Sequence, residues 1–246
     1  MKKSISTAII LAAALLSVQS CRFIRINDSA FNEAGAFVFN GSGTFVEPSA
    51  EWQVLAYTVD DFSAIRSTIP MDITYEMNAD SSFVEIFAPE NYLEYMEFKT
   101  VEGCLNAEFS EPLRTRADGM RMKVASSSLE KVEMLGVGDF HADSLVCSSL
   151  GLVVKGAGDA EFGKVLCTGD FEILIQGAGD ARINDLECND VEARIQGAGD
   201  IRLAGRAREA DLTIQGAGEI HIENLEVSGE VETSVQGVGK IYRDND

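Results

Sequence analysis

Positive charge is scarce in this chain. Twenty lysines and arginines face 40 aspartates and glutamates among 246 residues, giving a formal charge of −20 at pH 7. A nucleic-acid partner is excluded on that balance, because basic residues must neutralise phosphates. Electrostatic docking to an anionic membrane surface is disfavoured for the same reason. Histidine is scarcer still, with His141 and His221 alone. Helical periodicity of useful length is missing after the first twenty residues, so the many Gly-x-Gly peptides are not dinucleotide loops, which need a strand before and a helix after. No apolar run is long enough to span a bilayer, the longest being Ala8–Leu16.

That short run belongs to a leader. Lys2 and Lys3 precede it, and Ser17-Val-Gln-Ser leads from it into Cys21. Residues 1–20 read as a cleaved export signal. A small residue directly before Cys21 resembles a bacterial lipoprotein signal, with Cys21 as the lipidated residue; an ordinary secretory leader is the alternative. Stable anchoring takes more than one acyl chain. Cleavage removes two lysines and no acid, leaving 18 basic against 40 acidic residues and a charge of −22. The expected location is the cell envelope, lipid-anchored at the outer membrane, on the surface or the periplasmic face. Residues 21–56, with Asn40-Gly-Ser-Gly43, read as a linker with a hairpin.

What the chain has in abundance is one repeated peptide. Gly-Ala-Gly-Asp or a near copy begins at Gly136, Gly156, Gly177, Gly197, Gly216 and Gly237, in steps of 20, 21, 20, 19 and 21 residues. A period near twenty marks a solenoid, each repeat one coil on the last. Within a coil, Val191, Ala193 and Ile195 alternate with Glu192, Arg194 and Gln196, the period-two signal of a strand with one buried face. Ile201 and Leu203 alternate again beyond the corner. The predicted fold is all-β, a right-handed parallel β-helix of about 20 residues per coil with three short runs in each. Regular coils are expected over 131–243 and less regular ones over 57–130, within a domain spanning 57–246.

The columns are consistent with that stack. Two residues before each first glycine lie Met134, Val154, Ile175, Ile195, Ile214 and Val235. Four after it lie Phe140, Ala160, Ala181, Ile201, Ile220 and Ile241. All are apolar, as an inner core requires. Gln176, Gln196, Gln215 and Gln236 form an outward ladder. The corner glycines serve positive φ or close backbone approach. Cys147, Cys167 and Cys188 share one column, continued by the apolar Ala207 and Val227, and read as packed free thiols, with a stacked disulfide as the alternative. Arg243 to Asp246 could cap the last coil against edge-to-edge pairing.

Asp139, Asp159, Asp180 and Asp200, followed by Glu219 and Lys240, form the best candidate site. Carboxylates stacked about 4.8 Å apart repel by roughly 1 kcal/mol in water. Two offsets are open: each Asp accepts corner N–H groups, or Ca²⁺ sits between coils. No other cofactor is expected. A second acidic column, Glu172, Glu192, Asp211 and Glu232, reads as a solvated face. His141 and His221 lie four coils apart, about 19 Å, and cannot act together.

The chain resembles the GIN-domain family of auto-transporter adhesin head domains over about residues 57–243. Asp60-Asp-Phe-Ser-Ala-Ile-Arg-Ser-Thr-Ile-Pro-Met-Asp-Ile looks like the family's opening, Glu102-Gly-Cys-Leu like its hairpin, and the Gly-x-Gly-Asp corners complete the likeness. The resemblance implies a right-handed parallel β-helix on a bacterial envelope protein and supplies no functional residues. The function expected is non-enzymatic: a β-helix displayed for binding or adhesion to a glycan or protein. A structural or assembly role, with homo-oligomers, is the alternative; a polysaccharide-active enzyme ranks behind both, since near-identical coils leave no distorted coil for a cleft.

Overall fold

The computed structural model describes residues 43–116 and 118–244. Cys21 and the leader lie outside the described residues, as does most of 21–56. Strands make up 66% of the structure and helix 2%, and the β-solenoid runs for about 5 turns of roughly 21 residues. The helix is a single turn, Glu90–Leu93.

Each regular coil has two hydrogen-bonded runs. The first runs, Lys131–Met134, Leu150–Val154, Phe171–Ile175 and Asp190–Ile195, pair in parallel, each on the next. The second runs, Phe140–Cys147, Ala160–Cys167, Ala181–Glu187 and Ala198–Ala207, do the same. The third run expected from the sequence is the far half of the second. Ala160 and Phe162 point inward, then Val165 and Cys167, so the inward parity slips by one at a bend and one bonded strand serves two faces. The 19-residue coil drops its residue at that bend, where Ile183 and Leu186 pair with Leu203 and Gly205.

The core fills the stack. Val154, Ile175, Ile195 and Ile214 form one fully buried column, and Phe162, Ile183 and Leu203 another. Phe140 and Phe162 lie ring to ring at 5.3 Å on adjacent coils. Val235 departs from its column at 45% exposed, because it belongs to the last coil.

The N-terminal third does not simply lead into these coils in chain order. The strands Ala64–Ser67 and Asp72–Met77 pair with Lys131–Met134 and Phe140–Cys147 on one side. On the other they pair with Cys104–Phe109 and Arg121–Ser126. The coil that comes first in sequence is therefore second in the stack. Between the two visits the chain makes antiparallel strands. Phe83–Pro89 lies against Arg121–Ser126 and Trp52–Thr58, and Met96–Val101 lies against Cys104–Phe109. The Met96–Val101 hairpin turns at Glu102 and Gly103, both with positive φ (51° and 75°), the left-handed pair that suits a two-residue hairpin.

Candidate functional site: corner columns and an acidic groove

The corner glycines are dictated by approach. A Cβ on Gly177, Gly197 or Gly216 would come within 2.2–2.3 Å of the carbonyl oxygen of the first glycine one coil before. The second glycines behave alike: Gly179 would meet Gly158 O at 2.2 Å and Gly199 would meet Gly179 O at 2.0 Å. No side chain fits there.

Directly after each corner runs a ladder of carboxylates. Asp139 Oδ1 accepts the Asp159 N–H at 2.9 Å, Asp159 Oδ1 that of Asp180 at 3.0 Å, and Asp180 Oδ1 that of Asp200 at 2.9 Å. Asp200 Oδ1 takes the Glu219 N–H at 3.0 Å. The acceptors thus serve the next coil's corner rather than their own. Charge-assisted bonds of this kind offset the mutual repulsion of the column. The ladder begins one rung earlier than the sequence reading placed it, at Asp72, whose Oδ1 accepts the Asp139 N–H at 3.1 Å. Asp72 precedes the inward Ile73 as each corner Asp precedes its inward residue, and that phase could have found it. Arg202 closes on Asp200 at 3.0 Å. Among the described residues no group of three or more His, Cys, Asp or Glu side chains is placed to hold a metal ion.

The second acidic column makes a groove rather than a flat face. Glu172, Glu192, Asp211 and Glu232 line it, joined by Asp170 just before the strand Phe171–Ile175 and Asp190 at the start of Asp190–Ile195. Burial raises the pKa of Glu172, helped by repulsion from Glu192 and Asp170. Arg194 pairs with Glu192, and Arg208 with Asp190 at 2.5 Å.

His141 and His221 stand in one outward column with Glu161, Arg182 and Arg202 between them. His141 contacts Asp143 at 2.9 Å. His221 contacts Glu219 and Glu223, each at 3.1 Å, and stacks on Tyr242 at 4.6 Å. The Gln ladder is bonded from Gln176 through Gln196 to Gln215. Cys147 and Cys167 are buried neighbours with sulfurs 2.8 Å apart, and Cys188 is partly buried with its thiol pushed up to about 12 by burial and nearby Asp170.

One polar junction had no signal in the repeats. Asp61 Oδ1 accepts from Ser82 Oγ at 2.5 Å and from the Ser127 N–H at 3.0 Å, while Oδ2 accepts from Ser127 Oγ. Burial works to raise its pKa, but these bonds from Ser127 and Ser82 outweigh it and hold the carboxyl below the ordinary range.

The fold recurs in solved structures. A "putative adhesin" from Parabacteroides merdae ATCC 43184 is 24% identical, with a TM-score of 0.68 over 81% of this chain and 84% of that one. A "putative adhesin" from Bacteroides fragilis NCTC 9343 is 23% identical, with a TM-score of 0.62 over 80% and 98%. A "putative lipid binding protein" from Parabacteroides distasonis ATCC 8503 is 18% identical, with a TM-score of 0.52 over 81% and 100%. These likenesses show the fold alone. No curated protein matches the chain. The family described as "putative auto-transporter adhesin, head GIN domain" matches residues 61–243, and with its corners, hairpin and opening strands in place the chain belongs to that family.

Proposed function

We propose that this chain is a non-enzymatic lipoprotein of the cell envelope, anchored through Cys21, that holds out its β-helix as a rigid face for binding or adhesion. The observation that carries the reading is the set of straight outward columns. Coils pair in parallel from 131 to 242, shifting register only at the bend, so the corner carboxylates and the Gln ladder repeat along the axis at strand spacing. Such a face suits a repeating ligand, a glycan chain or an extended protein, because each coil offers the same contact again. Membership of the adhesin-head family supports the location at the envelope.

Protease shaving of intact cells producing the full-length chain, with detergent-opened cells as control, tests it. Loss of the β-helix from intact cells, followed by retention on a glycan or matrix array, is the expected result. Protection until the cells are opened sinks the adhesion reading and leaves an assembly role in the periplasm.

A further inference from the structure

The last coil is bonded on one side only. Val231–Tyr242 pairs in parallel with Ala210–His221, and no described residue pairs with its other edge. The strand is twelve residues long, and two of its apolar side chains are open, Val235 at 45% and Val238 at 84% exposed. Natural sheets normally cover or blunt such an edge.

The free backbone groups have a definite phase. In the lower coils the inward residues donate to the coil above: Leu150 N to Asp170 O at 3.1 Å, Ala160 N to Asp180 O at 2.8 Å, and Ala210 N to Glu230 O at 3.0 Å. By the same alternation Val231, Thr233, Val235 and Ile241 direct their N–H and C=O groups to the open side. An antiparallel partner bonds through directly opposed residues that both face it. Pairing this strand with a second copy of itself about Gln236 opposes Val231 to Ile241, Thr233 to Gly239 and Val235 to Gly237, all of that phase. The axis then passes through the corner where the strand turns, so the two arms exchange and the bend is matched.

Charge selects among the registers centred on the corner. An axis at Gln236 sets Glu232 opposite Lys240, twice over by symmetry, at non-hydrogen-bonded positions where side chains approach most closely. An axis at Gly237 would face Glu232 with Tyr242, and one at Val238 would face it with Asp244. Lys240 is also where the acidic corner column of Asp139 to Glu219 changes sign. Of the other strands bonded on one side among the described residues, Trp52–Thr58 contains no charged residue, and on Met96–Val101 the two charges, Glu97 and Lys99, already pair with each other within the strand.

We propose that the edge of the last coil is the contact face of a two-fold homodimer, in which Val231–Tyr242 of two copies pair antiparallel about Gln236 with Glu232 of each against Lys240 of the other. The interface is isologous and closed, so it yields dimers and not fibres. It carries the Gln ladder across the axis and joins the Glu172 to Glu232 column of one copy to the Asp139 to Lys240 column of the other, and it stands independently of what those columns bind.

Sedimentation of the mature chain over a concentration series tests it. A monomer–dimer equilibrium is expected. Lys240→Glu and Glu232→Lys, both at exposed positions, should each weaken it by about tenfold or more through lost pairs and new like-charge contacts. The double variant E232K/K240E should restore it. Gln236→Cys lies on the axis and should give a disulfide-linked dimer on mild oxidation with oxidised glutathione, whereas Ser234→Cys, opposite Val238, should not. Circular dichroism confirms that each variant folds. A wild-type monomer at every concentration overturns the proposal, as does a dimer indifferent to both charge reversals or one that the double variant fails to rescue.

Discussion

The regular coils and the N-terminal third solve the same problem of register by opposite means. In the coils every contact is a copy: Gly177 sits on Gly156, Asp180 bonds to Asp159, Ile195 covers Ile175. In the N-terminal third the Asp72 rung copies the coils, but the other ties are unique, with Asp61 tying Ser82 to Ser127 and a left-handed turn at Glu102-Gly103 folding one hairpin. Repetition makes the coils tolerant of which rung is changed and intolerant of any side chain at a corner. Uniqueness makes the N-terminal third sensitive at a few named atoms.

The sharpest test compares two glycines. Gly179→Ala, with its Cβ at 2.2 Å from Gly158 O, should cost at least about 3 kcal/mol or prevent folding. Gly103→Ala meets nothing within 4 Å and should cost only about 1 kcal/mol, the strain of its left-handed φ. Denaturant melts of the two variants decide it, and equal losses would break the comparison. Next in size comes Phe162→Ala, a fully buried ring in the stack, expected to lose about 3–5 kcal/mol.

Smaller effects separate the two kinds of carboxylate. Asp180→Ala removes one rung and leaves the Asp200 N–H without its acceptor, a loss of about 1 kcal/mol. Asp61→Asn should lose a similar amount, about 1 kcal/mol, at neutral pH. Because the folded state depresses the Asp61 pKa, its contribution is present above the unfolded value and lost as pH falls through the folded one. The variant and the parent should therefore converge in acid. Glu172 has the opposite sign. Its pKa is raised on folding, so the ionised groove is a cost that sets in as pH rises through the unfolded and then the folded value. Glu172→Gln should stabilise by less than about 1 kcal/mol at pH 7, given the group's partial exposure, and change nothing below the unfolded pKa. Melting curves at both pH values check the pair.

The inner columns, the corners and the corner carboxylates were legible in the sequence because each is periodic, and a period survives without knowledge of the fold. The acceptor role of the aspartates was visible, but the sequence could not show that the bond crosses to the next coil. Asp72 was missed because its corner, Thr68-Ile-Pro-Met, has no glycine to flag it. The groove was half seen: Glu172 and Glu192 announce a column, yet Asp170 and Asp190 enter it from where the chain comes out of the bend into the first run. The order of the first coils was hidden, since residues 64–77 carry no mark of being clamped between 104–126 and 131–147. Strand pairing at that range is set by the antiparallel strands between, not by local pattern.

That clamping has a mechanical consequence for the N-terminal tether proposed above. A solenoid pulled from an outer coil peels one rung at a time, each rupture needing only the bonds to a single neighbour. Tension entering from the N-terminal side strips the outer strand Trp52–Thr58 and then meets Ala64–Met77, which is laced to one coil through Cys104–Phe109 and Arg121–Ser126 and to another through Lys131–Met134 and Phe140–Cys147. Both lacings must fail together before the chain can lengthen further, so the out-of-order coil acts as a knot-free stopper between the tether and the repeats.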